Sequence, residues 1–312
     1  MASSVCVAVA GCTHGQLDAV YTAIEAAAVD YGKTVDLLLC CGDFQAVRNF
    51  GDLECVNVKE KYLELGDFHK YYSGQARAPV LTLFVGGNHE ASNYLAELPH
   101  GGWVAPNIYY MGLASGLRIG GISGIAGNSI PEYHSGHWEA PPYTKDSRIT
   151  AYHQRSVEIF RLEQLSKKVE ENPLDIFLSH DWPYFISEHG DKEKLLMDKP
   201  HLGIQLAARK LGNPFTGKLL SMLKPRYWFA AHMHVKYAAM MRHIGGSFTR
   251  FLSLDKCLPG RPFIQLLQIP VRPEESQLEF SYDPEWLAIL RATDHFTSSL
   301  NRPVPLRKAF GL

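Results

Sequence analysis

Five short motifs in the chain carry residue types that bind divalent cations: Gly11-Cys12-Thr13-His14, Gly42-Asp43, Gly87-Asn88-His89-Glu90, Ser179-His180-Asp181 and His232-Met233-His234. Imidazole, carboxylate, amide oxygen and thiolate together form a donor set for transition ions, and the glycines let the backbone turn sharply beside them. Taken singly, each motif is weak. An H-x-H or N-H-E is more often a turn or a satisfied surface histidine, and a Gly-Asp pair says even less. Together, in this order and each after an apolar run, they point to a metal site. Two ions about 3.5–4 Å apart would activate a bridging water and neutralise phosphate oxygens during in-line attack, so the chemistry suggested is cleavage of a phosphate ester.

The elements that must position these groups are legible as apolar runs at 5–10, 35–41, 80–85, 117–122, 175–179 and 227–231. Several are apolar almost throughout, as strands buried on both faces tend to be. Between the first two runs, Leu17, Val20, Tyr21, Ile24, Ala27, Ala28 and Tyr31 recur at helical spacing. A second helix is expected over 149–171, with Ile159, Leu162, Leu165 and Val169 on one side and Pro173 beyond its end. The mixed order predicts an α/β (α+β) fold with helices covering a central pair of sheets. In such folds, groups just beyond strand ends converge on one crevice. From residue 250 the stretches FLSLDKCLPG, FIQLLQI and LEFSYDPEWLAIL read as further strands joined by turns.

Composition sets the outer bounds. With 312 residues, 46% of them hydrophobic, the chain can bury a large core, as one domain or two. A net charge of −1 gives no overall attraction for RNA, so a nucleic-acid partner would need a local patch or the metals. The six cysteines, at 6, 12, 40, 41, 55 and 257, form no C-x-x-C pair and fit a reducing compartment, with Cys6, Cys40 and Cys41 read as core residues. No run approaches the roughly 18 apolar residues of a membrane span, and the first residues lack a signal-peptide pattern, so a soluble intracellular protein with no membrane role is expected.

The order D-x-H, G-D, G-N-H-[DE], H, G-H-x-H resembles the calcineurin-like metallophosphoesterase family. The chain departs from that pattern at Cys12, where the family usually has Asp, and at Ala231, where the last motif usually has Gly. With CCGDFQAVRN, PVLTLFVGGNHEASN, GGWVAPNIYY, LSHDWP and YWFAAHMHVKYAA, it is similar to the RNA-lariat-debranching branch of the family from about residue 5 to 293. The resemblance implies a β-sandwich flanked by helices, with a dimetal site at one end of the sheets. It implies one catalytic domain over 1–293 and a flexible tail over 294–312, with the C-terminal domain common in that branch largely absent.

By the same resemblance, Cys12, His14 and His234 bind one metal, Asn88, His180 and His232 the other, and Asp43 bridges them. His89 is the general acid, and Glu90 and Asp181 orient their neighbours or only solvate the turns. An ionised Cys12 is softer than Asp and favours iron or zinc over magnesium. Two divalent ions, Fe(II) and Zn(II) with Mn(II) as a substitute, are therefore expected. The implied activity is hydrolysis of the 2′–5′ phosphodiester of branched lariat RNA during intron turnover, in the nucleus, with the cytoplasm as a further option and no protein partner legible. The loop 125–146 carries Tyr133, His134, His137, Trp138, Tyr143 and Lys145, which suit base stacking and phosphate contact, or anchor a plain surface loop. Arg48, Lys59, Lys61, Lys70 and Arg77 are further phosphate candidates, although scattered basic residues usually just solvate a face. A phosphoprotein phosphatase, a nucleotide phosphodiesterase and a non-catalytic scaffold remain the alternatives.

Overall fold

The apolar runs lack alternation because both faces of their strands are covered. A computed structural model of the chain describes residues 4–111, 114–115, 117–127, 139–271 and 280–297. In the first strand, β1 (Ser4–Ala10), Val5, Val7 and Val9 face a second sheet. Cys6, Ala8 and Ala10 face the helix Leu17–Tyr31, against Leu17, Val20, Tyr21 and Ile24. Burial of each such Val, Leu or Ile contributes about 1.5–3 kcal/mol relative to exposure. That helix stops at Gly32, whose φ of 66° lets its N–H cap the carbonyls of Ala28 and Val29.

The remaining described strands are β2 (Leu37–Cys40), β3 (Leu81–Phe84), β4 (Gly102–Ala105), β5 (Ile108–Tyr110), β6 (Ala114–Ser115), β7 (Ile119–Ile122), β8 (Ile176–Ser179), β9 (Tyr227–Ala230), β10 (Tyr237–Arg242), β11 (Phe248–Ser253), β12 (Ile264–Pro270) and β13 (Ser281–Tyr282). One sheet has the order β12-β1-β2-β3-β5-β4 and the other β10-β11-β9-β8-β7-β6-β13. Within them β1, β2, β3 and β5 run parallel, as do β7, β8, β9 and β11. The layer between the sheets joins Leu39 and Leu83 to Ile176, Leu178 and Phe229. The outer face of the second sheet packs Phe177, Trp228 and Phe251 on Ile159, Leu162, Leu219 and Leu223 of the helices Ser156–Gln164 and Pro214–Leu223. The expected helix-flanked sandwich of mixed α/β class is the fold observed.

Two local expectations are corrected. The single helix over 149–171 is instead a helix Lys145–Thr150, a helix Ser156–Gln164 and a 3-10 turn Leu165–Lys168. Residues 151–155 leave helical geometry because they pair with a distant segment. Ile125 N–H donates to Tyr152 O (3.3 Å), and Gln154 N–H donates to Ile125 O (3.0 Å). The stretch LEFSYDPEWLAIL is mostly not strand: after β13 comes the helix Pro284–Thr293. Asp283 caps it by accepting from Trp286 N–H, Pro284 is pre-set for the first turn, and Trp286 and Ile289 pack on the core. The expected tail opens with a 3-10 turn, Asp294–Phe296, and its residues from 298 onward lie outside the described ones.

Candidate metal centre

Because β1, β2 and β3 run parallel to one another in the first sheet, and β8 and β9 in the second, the turns that follow them emerge at one edge of the stacked sheets. Those turns are the five motifs. Their backbones are strained: His14, Asp43, His232 and His234 have φ of 47°, 44°, 62° and 49°, a region that costs a non-glycine residue about 1–3 kcal/mol. The glycines are there for close approach. A Cβ on Gly42 would sit 2.3 Å from His180 Nδ1, and one on Gly87 would sit 2.2 Å from Asp43 Oδ1.

One ligand atom from each of Cys12, His14, Asp43 and His234 lies within 4.8 Å of the other three. The second expected set also converges. His180 Nε2 is 3.0 Å from Asn88 Oδ1, 3.3 Å from Asp43 Oδ1 and 3.2 Å from His232 Nδ1. Asp43 stands between the two sets, with Oδ2 3.7 Å from His14 Nε2 and Oδ1 toward His180. Cys12, Asp43 and His180 form a buried floor, and His14, Asn88, His232 and His234 are half-buried around it.

Protonation states follow from this geometry. His180 Nδ1 lies 2.9 Å from Cys41 O, and a carbonyl only accepts, so that nitrogen carries the hydrogen and Nε2 presents a lone pair. Burial lowers the pKa of His180 and His234 to about 4 and lowers that of His14 as well. Burial alone would raise Asp43, but His180, His89 and His14 outweigh it and hold the carboxylate ionised. Burial, then the charge of Asp43, pushes the Cys12 thiol well up, so a cation bound there would have to displace its proton. Lone pairs of His180, Asn88 and Asp43 thus crowd one point while the carboxylate stays charged. A cation fits that arrangement.

The supports of the site are equally specific. The Glu90 carboxylate accepts from Phe44 N–H (2.6 Å), Gln45 N–H (2.9 Å) and Gly87 N–H (3.0 Å), tying the Asp43 turn to the His89 turn. Burial and the charge of Asp43 raise its pKa to about 8 against the pull of these donors. Asp181 accepts from Trp182 N–H (2.9 Å) and Ala126 N–H (3.5 Å), anchoring the turn after β8. His89 lies beside the cluster, its ring 5.6 Å from that of His14, and its main-chain N–H donates to Asp43 Oδ1 (2.9 Å).

The substrate-side expectations are placed less closely. Tyr133, His134, His137 and Trp138 lie outside the described residues. Tyr143 is half-buried against a cavity of about 90 Å³ that also touches Gly87 and Glu90, whereas Lys145 is exposed. Arg48 is engaged by Asp52 (2.7 Å) and Glu97 (3.0 Å) and stacks 3.9 Å from the Tyr94 ring; Lys70 binds Asp18 and Asp67. Sequence reasoning missed Lys256, whose charge acts on both His14 and His234. It follows β11, so the strand-end rule applied to FLSLDKC could have found it. It also missed Asn57, whose main-chain oxygen meets His89 Nδ1 at 2.9 Å; a backbone role leaves no mark in sequence.

A family model described as calcineurin-like phosphoesterase matches residues 7–236, and the chain belongs to that family, whose members use a dinuclear divalent metal centre. A second model, described as the C-terminal domain of the lariat debranching enzyme, matches residues 246–309. Among curated relatives, lariat debranching enzyme A of Xenopus laevis is 51% identical over 92% of this chain and 54% of its own length. The lariat debranching enzyme of Homo sapiens is 51% identical over 95% and 55%, and that of Caenorhabditis elegans 50% identical over 94% and 60%. The chain thus spans about half the length of the curated relatives it matches.

Proposed function

We propose that this chain hydrolyses the 2′–5′ phosphodiester at the branch of lariat RNA. The observation that carries the reading is a cysteine, Cys12, seated in the metal cluster of a calcineurin-like phosphoesterase, in a chain about half identical to lariat debranching enzymes. Cys12, His14 and His234 would hold one cation, Asn88, His180 and His232 the other, and Asp43 would serve both. Iron and zinc are the proposed pair because a thiolate selects softer ions, with manganese able to substitute. Bound cations supply activation of the attacking water and neutralisation of the phosphate oxygens.

The chain's own residues do the rest. Asp43, and Cys12 once a cation has displaced its proton, contribute negative charge from a buried floor, and neutral imidazoles close the set. Water oxygen forms the new bond to phosphorus and releases a proton to solvent while the P–O2′ bond breaks. The departing oxygen takes a proton from Nε2 of the His89 imidazolium, whose Nδ1 keeps its hydrogen on Asn57 O, and the neutral ring regains a proton from solvent. The loop 125–146 is proposed to hold the bases around the branch, and nuclear residence belongs to the same proposal. The test is hydrolysis of synthetic branched RNA beside its linear counterpart, a phosphopeptide and a cyclic nucleotide. Strong preference for the branch is expected, and comparable rates on the others would defeat the reading.

A further inference from the structure

Two hydrogen bonds tie His89 to a part of the chain outside the metal cluster. Its Nδ1 lies 2.9 Å from Asn57 O, and Asn57 Nδ2 donates to Tyr152 Oη at 3.0 Å. The carbonyl of Asn57 therefore sets the plane of the imidazole, and the Tyr152 hydroxyl fixes the side chain of the residue bearing that carbonyl. Tyr152 is itself held. Its main-chain oxygen accepts from Ile125 N–H (3.3 Å), Gln154 N–H donates to Ile125 O (3.0 Å), and Gln154 Nε2 donates to Gly124 O (3.2 Å). The approach is so close that a Cβ on Gly124 would stand 1.9 Å from Tyr152 O. Ile125 opens the loop proposed to hold the branch. An unbroken path therefore runs from the start of that loop through Tyr152 and Asn57 to His89.

We infer that Tyr152 is a positioning residue for leaving-group protonation. Its hydroxyl, acting through Asn57, aligns His89 Nε2 with the departing 2′ oxygen. The inference rests on His89 being the acid in the reaction proposed above. A displaced reacting group loses rate steeply, about 10²-fold for 1 Å, so loss of one remote hydroxyl can matter without any change in metal binding.

The test compares two branched RNAs, one with the natural 2′ oxygen at the scissile bond and one with sulfur in its place. Oxygen must be protonated to leave, whereas sulfur departs as a thiolate and needs no proton. Tyr152→Phe should lower kcat on the oxygen substrate by about 10–100-fold with little change in KM, and should turn over the sulfur substrate at nearly the wild-type rate. Asn57→Ala should behave in the same way and provides a second variant should Tyr152→Phe misfold. His89→Ala should show a larger loss, about 10²–10⁴-fold, also restored by sulfur. Total-metal content should match the wild type in all three.

If Tyr152→Phe and Asn57→Ala lose equally on both substrates, or lose nothing, the positioning role is overturned. If sulfur fails to restore His89→Ala, the acid assignment is overturned and the positioning role falls with it. Restoration of His89→Ala without restoration of Tyr152→Phe overturns the positioning role alone.

Discussion

The strand ends of the first sheet supply Cys12, His14, Asp43, Asn88 and His89, whereas those of the second supply His180, His232 and His234, imidazoles only. The difference is one of charge. Both potential anions in the ligand set come from the first sheet, and the second offers uncharged nitrogen, kept so in His180 and His234 by burial. Neither sheet alone can hold two cations. One brings charge that is costly to bury without a cation, and the other brings uncharged nitrogens that close the pocket.

The sharpest way to break this comparison is Asp43→Asn, which removes the charge shared by both sets. Both ions should be lost, and hydrolysis of bis-p-nitrophenyl phosphate should fall by more than the ~10–100-fold typical of residues behind the ligands. His232→Ala should do less, leaving roughly one ion per chain by total-metal analysis. If the two variants retained equal metal, Asp43 would not be the bridge.

Cys12 sharpens the same contrast by metal type. After chelation, magnesium should restore the wild type poorly, and Cys12→Asp should shift recovery toward magnesium and manganese because a hard carboxylate replaces a soft thiolate. Full recovery of the wild type with magnesium alone would remove Cys12 from the metal pocket. The smallest expected effect concerns pH. His180 and His234 titrate near 4 when folded against an ordinary value of 6.5, so between those values the unfolded chain binds more protons. Stability from this source is complete above pH 6.5 and is lost as pH falls toward 4. The Tm of chelator-stripped protein should decline across that window, and a flat profile would mean that these imidazoles are not buried neutral.

Much of this arrangement was legible in the sequence because strand ends are marked twice, by an apolar run and by the polar, glycine-bearing turn after it. The five motifs and the doubly buried strands were read that way, and the helix Leu17–Tyr31 from the helical spacing of its apolar face. Long-range pairing was not legible: 151–155 fell inside the expected helix, yet Ile125 draws Tyr152 and Gln154 out of it. Pro284 and the Asp283 cap, by contrast, were helix-start signals present in the sequence but outweighed there by the β-rich stretch before them. That His89 is set by a main-chain oxygen of Asn57 could come only from coordinates.

The motif turns also have a bearing on how the molecule is made. His232 N–H reaches Cys12 Sγ across 220 positions of chain, and β1 pairs along its whole length with β12. Contacts so distant in sequence form late and slow the search for the native state, since long loops must close before their pairing is rewarded. The unfolded chain therefore offers a cation no ready pocket. Uptake would follow assembly, and each ion would then act as a latch on the finished fold, adding about 2.7 kcal/mol when free metal stands at a hundred times its dissociation constant. A cell starved of the metal would lose durability of the protein along with its chemistry.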